Sequence, residues 1–157
     1  MTVDESYMDM ALELAKRGMG AVNPNPLVGA VIVKNEKVIG KGWHERFGGL
    51  HAERNALADC KESTEGATIY VTLEPCLMCA GLMVNARIDR CVYGASDPKG
   101  GALGTLFDVS HDERLNHEFD VASGVLEQEC ANELRSFFRA RRAKKKGPGA
   151  AEAQGCC

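Results

Sequence analysis

One histidine and two cysteines place the strongest constraint on how this chain can fold, because His51, Cys76 and Cys79 together form a set of metal ligands. An imidazole and two thiolates suit Zn²⁺, and three such ligands leave the fourth position of a tetrahedral ion open for water. Glu53 adds a carboxylate beside the histidine that the metal does not need. A structural zinc site would normally close with a fourth Cys or His, so this set indicates a site that performs chemistry.

The wider pattern around these ligands is His-x-Glu followed by Pro-Cys-x-x-Cys, which is typical of zinc-dependent nucleobase deaminases. The Cys-x-x-Cys part alone would fit a redox pair or half of a structural zinc ribbon. A non-catalytic relative that keeps zinc would be expected to lose the acid, and Glu53 is present. We therefore predict one Zn²⁺ per chain on His51, Cys76 and Cys79, with Glu53 as the catalytic general base.

Hydrophobic spacing predicts helices that alternate with strands along the chain. Helices are predicted over residues 4–19, 51–60, 76–87 and from 124 or 126 to 142, with a short additional helix over 103–110. Strands are predicted over residues 28–33, 37–43, 67–73, 90–94 and 117–121. Asp4 or Ser6 is expected to cap the first helix. This order predicts an α/β fold with three layers, helix–sheet–helix, and a mixed sheet of about five strands.

The predicted elements also explain how the ligands meet. Cys76 and Cys79 fall on one face in the first turn of a helix, where unpaired N–H groups favour thiolates. His51 and Glu53 start another helix, and each pair follows a strand. Residues after the carboxyl ends of strands meet at a crevice in an open α/β sheet. Two helix N-termini are therefore expected to bring the three ligands to one zinc ion.

The length and composition of the chain are those of an ordinary globular domain. At 157 residues we expect a single zinc-binding domain over 1–146 and a disordered tail over 147–157 that exposes Cys156 and Cys157. No apolar run approaches the ~18 residues of a membrane span, and the start lacks a secretory signal. Seven irregularly spaced cysteines without an export signal favour thiols. We therefore predict a cytoplasmic protein without a membrane partner.

The distribution of charge is more informative than its sum. A net charge of -3 does not by itself suggest a nucleic-acid partner, but residues 135–146 hold seven basic side chains and no acidic one. Such a run also fits a solvated helix end, where cations suit the helix dipole. Composition alone leaves these two interpretations open.

The second half of the chain closely resembles bacterial tRNA-specific adenosine deaminases. The matching segments are TLEPCLMCAGLMVNARIDRCVYGASDPKGGALGTLFDV and LNHEFDVASGVLEQECANELRSFFRARR. The resemblance implies the cytidine deaminase type of fold, a homodimer, and conversion of adenosine to inosine at the wobble position of a tRNA anticodon loop. It also implies substrate contacts from Asp97 and Lys99, and RNA contacts from residues near the end of the chain: Phe137, Phe138, Arg139, Arg141 and Arg142.

The first half resembles instead the pyrimidine deaminase domain of riboflavin biosynthesis, which acts on a small phosphorylated ribosylaminopyrimidine. The matching segments are NPNPLVGAV and GWHERFGGLHAE. The tRNA family usually has Asn where this chain has His44, and a longer loop before the zinc histidine. Asn25 and His44 can each hydrogen-bond a ribose or a base edge, so we predict both as substrate-binding residues. The alternative for His44 is an ordinary loop histidine.

Three functions remain open from the sequence. The leading hypothesis is a zinc-dependent hydrolase that deaminates adenosine in tRNA, because bases in RNA loops can be splayed out and stacked on aromatic or Arg groups. The second is deamination of a small nucleobase, nucleoside or riboflavin-precursor pyrimidine. The third is a non-catalytic zinc-containing RNA-binding subunit. His111 and His117 are not expected to bind the metal, because three ligands already complete the site.

Overall fold

The computed structural model describes residues 1–144. The predicted tail, with Cys156 and Cys157, lies outside the described residues. The elements follow the order α1 (Val3–Lys16), β1 (Gly29–Lys34), β2 (Lys37–Trp43), α2 (Ala52–Asp59), β3 (Thr68–Leu73), α3 (Leu77–Asn85), β4 (Arg90–Ala95), β5 (Asp120–Ser123) and α4 (Glu127–Lys144). Among these helices, none combines the length and the apolarity needed to cross a bilayer.

The strands form one mixed sheet in the order β2-β1-β3-β4-β5. Strand β1 runs antiparallel to both β2 and β3, whereas β3, β4 and β5 are parallel to one another. Helices α1 and α4 pack on one face, and α2 and α3 pack on the other. The predicted three-layer sandwich with a five-stranded mixed sheet is therefore confirmed.

The core divides at the sheet into two apolar layers. Ile32 and Ile69 point toward α2 and α3, while their neighbours Val31 and Tyr70 point toward α1 and α4. Because helices cover both faces, the central strands carry continuous apolar runs instead of an alternating pattern. Burying both faces provides most of the hydrophobic stabilisation of the domain.

Helix α1 begins earlier and ends earlier than predicted. Thr2 is its N-cap, and Thr2 and Glu5 form a reciprocal capping box, so the predicted caps Asp4 and Ser6 are wrong. Asp4 instead forms a salt bridge with Arg90 at the start of β4 and accepts a hydrogen bond from the Tyr70 hydroxyl. The first turn of α1 is therefore attached to the central sheet.

The segment between β4 and β5 contains no helix, contrary to the prediction for residues 103–110. The backbone N–H groups of Leu103 and Thr105 donate to the buried carboxylate of Glu74, and an isolated bridge joins Leu103 to Asp108. Gly104 has a φ of 132°, which an α-helix does not contain, so the segment follows the carboxylate in a non-helical path. Strand β5 also starts later than predicted, because Asp120 is the residue that pairs with Arg90.

Helix α2 lies directly on the backbone of β2. A Cβ atom added to Gly42 would lie 2.3 Å from the backbone nitrogen of Ala56, which is too close for any side chain. Glycine at this position lets the helix and the strand approach closely, as expected where two backbones meet. This contact sets the position of the N-terminus of α2, which carries His51.

Candidate active site

The three predicted metal ligands come together in the structure. Nδ1 of His51 lies 3.3 Å from Sγ of Cys79 and 3.8 Å from Sγ of Cys76, and all three ligand atoms lie within 4.8 Å of one another. Tetrahedral Zn²⁺ with bonds of about 2.0 Å to nitrogen and 2.3 Å to sulfur would place nitrogen and sulfur about 3.5 Å apart. The spacing and chemistry of these donors therefore fit zinc.

The ligands sit at two helix N-termini, as the sequence predicted. His51 is the N-cap of α2, and Cys76 is the N-cap of α3, with Cys79 one turn further along. Neither N-cap side chain hydrogen-bonds the helix backbone, so both side chains are directed to the metal site instead. The positive end of each helix dipole favours the thiolate form that binds zinc.

The electrostatics of the three donors also favour a bound cation. A hydrogen bond with Cys76 raises the pKa of the Cys79 thiol, as does burial, and hydrogen bonding to Cys76 raises the pKa of His51. Without a metal, the two sulfurs and the imidazole would share protons. Metal binding replaces those protons, because the ligating forms are thiolate and neutral imidazole.

Glu53 is the acid predicted beside the metal, and it is almost fully buried. Its side chain is 5% exposed and lies among the residues that line a cleft together with the metal ligand His51. Burial raises the pKa of the Glu53 carboxyl to about 7, and the nearby Cys76 acts in the same direction. Burial thus makes this carboxyl a better proton acceptor than an exposed glutamate, which suits a group that takes up protons and returns them.

Asn25 and His44 form a hydrogen-bonded pair that lines the same cleft. Nδ2 of Asn25 lies 3.0 Å from Nε2 of His44, and Nδ1 of His44 lies 2.9 Å from the carbonyl oxygen of Leu50. Because that carbonyl can only accept, His44 donates from Nδ1 and accepts from the Asn25 amide at Nε2. Both side chains are buried, so His44 is not an ordinary exposed loop histidine.

The amide oxygen of Asn25 is left without a hydrogen-bond partner although it is buried. Asn25 lines the same cleft as Glu53. An unpaired buried acceptor costs roughly 1–3 kcal/mol, so it is expected where a ligand supplies the missing donor. The cleft is lined by Asn25, Pro26, Val28, His44, His51, Ala52 and Glu53.

The predicted substrate residues Asp97 and Lys99 lie in the turn after β4. Oδ1 of Asp97 accepts hydrogen bonds from the backbone N–H groups of Lys99 and Gly100, at 3.0 Å and 3.2 Å. One carboxylate oxygen of Asp97 therefore stabilises the turn in which Asp97 itself lies. The carboxylate of Glu74 binds the next part of the loop. No sequence pattern predicted a role for Glu74, and its one signal is its place immediately before Pro75-Cys76.

The predicted RNA-contacting residues lie near the end of α4, and the structure gives them different environments. Phe137 is half-buried against Ala15, Val22 and Leu27, whereas the side chains of Phe138, Arg139 and Arg142 are exposed. The backbone of Arg141 belongs to the same helix. Among residues 1–144, His111 and His117 are not part of a metal-ligand cluster, and Nε2 of His117 contacts the carbonyl oxygen of Ile88 instead.

The sequence of this chain is similar to those of known zinc-binding deaminases. Residues 1–95, which include all three candidate ligands and Glu53, match the family model described as the cytidine and deoxycytidylate deaminase zinc-binding region. The chain is 45% identical to the tRNA-specific adenosine deaminase of Bacillus subtilis strain 168, over 93% of this chain and 95% of that protein.

Two further similarities concern substrate and fold. The chain is 44% identical to the riboflavin biosynthesis protein RibD of Actinobacillus pleuropneumoniae over 81% of its length, but it spans only 34% of that protein. A solved structure from a study of A-to-I editing by tRNA:A34 deaminases at the wobble position of transfer RNA is 34% identical. It aligns with a TM-score of 0.71 over 82% of this chain and 99% of the other.

Replacing one ligand should release the metal. We expect Cys79→Ser to reduce zinc content well below the one ion per chain predicted for the unaltered protein, because a buried hydroxyl is a much poorer zinc ligand than a thiolate. Atomic emission spectroscopy of the purified protein measures the zinc-to-chain ratio.

Cys60→Ser provides the matched control, because Cys60 is half-buried and lies outside the ligand cluster. Equal zinc content in the Cys79→Ser and Cys60→Ser proteins would contradict the assigned ligand set.

Proposed function

Since the chain belongs to the cytidine and deoxycytidylate deaminase zinc-binding family and is a zinc-dependent deaminase, we propose that it converts adenosine to inosine at the tRNA wobble position. The observation that carries this proposal is the similarity to a tRNA-specific adenosine deaminase along nearly the whole of both chains. The similarity to RibD covers a comparable stretch of this chain but about a third of that larger protein. Fold alone does not decide a substrate, so the surface around the cleft must also fit RNA.

The end of α4 lies next to the loop that lines the cleft. Phe137 packs against Val22 and Leu27, which flank the cleft residue Asn25 in the loop before β1. This packing supports a path for RNA from the cleft to the exposed Phe138 and Arg139. An aromatic face beside guanidinium groups suits a nucleotide whose base is unstacked and whose phosphate needs a cation.

The basic end of α4 supplies positive charge to a chain that is otherwise acidic overall. Residues 135–146 contain seven basic residues, whereas the whole chain has a net charge of -3. The exposed side chains of Arg139 and Arg142 fit phosphate contacts, and we include Phe137 and Arg141 in the same RNA-facing segment. Concentrating cations on one segment attracts a polyanion despite the net negative charge.

Zinc on His51, Cys76 and Cys79 supplies a Lewis acid that lowers the pKa of water near it. The remaining chemistry belongs to Glu53. Its carboxylate removes a proton from the attacking water, whose oxygen bonds to the purine carbon that carries the amino group. Glu53 passes this proton to the ring nitrogen, then takes the remaining proton of the added hydroxyl and passes it to the amino group. The carbon–nitrogen bond then breaks and ammonia departs. The buried position of Glu53 keeps these protons from bulk water.

Asn25 and His44 are proposed to orient the substrate in this reaction. His44 engages the amide nitrogen of Asn25, so the amide oxygen of this cleft residue is the atom that remains to accept from a substrate. That oxygen accepts a hydrogen bond from an amino or hydroxyl group of the bound nucleotide. Asp97 and Lys99 in the turn after β4 complete the proposed substrate contacts.

The same Asn25–His44 pair favours a second candidate function. The sequence around it resembles a pyrimidine deaminase domain, and the relative that carries this domain is 44% identical over 81% of the chain. Deamination of a small nucleobase, nucleoside or riboflavin-precursor pyrimidine would use the same zinc and Glu53. The two candidate functions would differ only in the substrate groups that contact Asn25 and His44.

A second copy of the chain is the proposed partner for an exposed apolar groove beside the site. Leu77 and Met78 at the start of α3 are 53% and 59% exposed. They line this groove with Arg54, Cys79, Gly81, Leu82 and Asn85. An apolar surface of this kind next to a metal site is typical of an interface, and the resemblance to tRNA deaminases implies a homodimer.

A cytoplasmic location belongs to the same proposal, because tRNA is processed where thiols stay reduced. Among residues 1–144 the cysteines form no disulfide, which fits a reducing compartment. Recovery of the protein only from membranes after cell lysis would contradict this location.

Removing the proton shuttle should abolish turnover without removing the metal. We expect Glu53→Gln to lower the rate of deamination by at least about 100-fold, because an amide cannot carry the protons. Ammonia release and zinc content are measured on the same preparation. The exposed Glu45→Gln is the control and should keep full activity. Full biological function of Glu53→Gln would instead support a non-catalytic RNA-binding subunit.

The substrate is tested with a panel that compares an anticodon stem-loop with free adenine, guanine, cytosine and their nucleosides. We expect inosine in the stem-loop, and a fall in kcat/KM of about tenfold or more between roughly 50 and 200 mM salt, because phosphate contacts release counterions. Mass spectrometry of digested RNA measures inosine. Ammonia release from a free substrate without any reaction in RNA would favour the small-molecule function.

The dimer is tested by placing charge in the groove. Met78→Glu should convert a dimer into monomers in sedimentation velocity, because an apolar interface tolerates a buried unpaired carboxylate poorly. Leu115→Glu, at an exposed apolar residue outside the groove, should leave the dimer intact. A monomeric unaltered protein at micromolar concentration would contradict the proposed homodimer.

A further inference from the structure

We propose that Glu74 is a positioning residue, whose buried carboxylate fixes loop 96–109 at the edge of the sheet that carries the metal ligands and thereby sets substrate affinity. The fixing of the loop stands on contacts within the chain. The effect on affinity rests on the proposed function, because it requires that the loop contacts the nucleotide.

The carboxylate of Glu74 is saturated with donors from the loop. Its Oε1 accepts from the N–H of Asp97 at 3.1 Å and from the hydroxyl of Thr105, and its Oε2 accepts from the N–H groups of Leu103 at 3.0 Å and Thr105 at 3.2 Å. Three backbone groups spread over nine positions thus meet one side chain. Such a set of bonds defines the loop conformation more strongly than any local turn could.

Glu74 achieves this without a cation. Its side chain is 1% exposed, and the salt bridges found within residues 1–144 do not include it. Burying a carboxylate without a counter-ion is costly, and the four hydrogen bonds from the loop offset that cost. Because the buried carboxylate of Glu74 binds four donors of one loop, we infer that its role is to hold that loop in a defined conformation.

The loop is also packed against the segment that carries a metal ligand. Glu74 N–H donates to the carbonyl of Ala95 at 2.8 Å, and the Ala102 N–H donates to the carbonyl of Pro75 at 2.9 Å. A Cβ atom on Gly101 would lie 2.4 Å from the Glu74 carboxylate, so the loop backbone lies directly on the carboxylate. Cys76 follows Pro75, so the loop and the metal ligand share one rigid support.

The position and surface of the loop fit contact with a nucleotide. It starts at the carboxyl end of β4, beside the carboxyl end of β3 from which Cys76 follows, and this edge is where substrates bind in open α/β sheets. It carries Lys99, and its apolar residues Leu106 and Phe107 are 52% and 57% exposed. A cation and an exposed aromatic ring on one loop suit a phosphate and a neighbouring base.

The deciding experiment combines kinetics with hydrogen exchange for Glu74→Gln. The amide has a single accepting oxygen, and its NH₂ group would face N–H donors. We expect KM for the stem-loop to rise about tenfold or more with kcat changed less than about threefold, because the loop acts on binding and not on the proton shuttle. The amides of Leu103 and Thr105 should exchange about tenfold faster. Zinc content should stay unchanged, and the exposed Glu113→Gln is the matched control.

Gly101→Ala provides a second variant in case Glu74→Gln fails to fold. It keeps Glu74 but places a methyl group against the carboxylate, so it should loosen the same amides and raise KM in the same way. Unchanged exchange at Leu103 and Thr105 in both variants would overturn the role of Glu74 in fixing the loop. A fall in kcat with constant KM, or a loss of zinc, would overturn its assignment to substrate affinity.

The experiment separates this inference from the proposed function. If the unaltered protein does not deaminate the stem-loop, the substrate assignment fails, whereas the exchange measurement still reports on the loop. The kinetic comparison is then made with whichever substrate of the panel releases ammonia.

Discussion

The distance of 3.3 Å between Nδ1 of His51 and Sγ of Cys79 is the constraint on which the rest of this structure depends. Helices α2 and α3, which β3 separates in the sequence, must begin close to each other. Parallel strands β3 and β4 and the hairpin of β1 and β2 provide that arrangement, since each helix follows the strand that supports it. The ligand set therefore selects the sheet topology as much as the sheet positions the ligands.

Around this centre the molecule separates chemistry from recognition. Glu53 and the ligands lie on helices packed against the sheet, where a small shift would be costly, whereas Asn25 and the loop after β4 lie on irregular segments at its edge. Catalytic geometry of this kind benefits from rigid elements, and specificity resides in the loops. The mixed resemblance of the two halves of the chain reflects this division, because the zinc chemistry is shared and the surrounding loops are not.

The sequence predicted the sheet, the order of the helices and the metal cluster, because each leaves a short-range signal. Apolar runs reveal strands buried on both faces, and Cys76 and Cys79 are one helical turn apart. Prediction from the sequence failed mainly where the conformation of a segment depends on a hydrogen-bond partner that is distant along the chain. The cap of α1 is a different case, because Thr2 and Glu5 form a local capping box that the prediction overlooked. Residues 103–110 form no helix because they follow the distant Glu74 carboxylate in a conformation with Gly104 at a φ of 132°. The unpartnered amide oxygen of Asn25 could not be predicted from the sequence either, because it depends on the contact between the amide nitrogen and His44, which only the fold creates.

The direct contact between Gly42 and helix α2 has a consequence for how such a protein can change over evolutionary time. No side chain lies between the two backbones, so substitutions at this contact cannot shift the helix that carries His51 and Glu53 by small amounts. Gradual changes in core packing are therefore a poor route to a changed reaction. New activities must then arise by exchanging peripheral segments around an unaltered centre. The same property makes the scaffold suited to loop grafting, where libraries in the segments before β1 and after β4 would explore substrates while the proton chemistry is inherited intact.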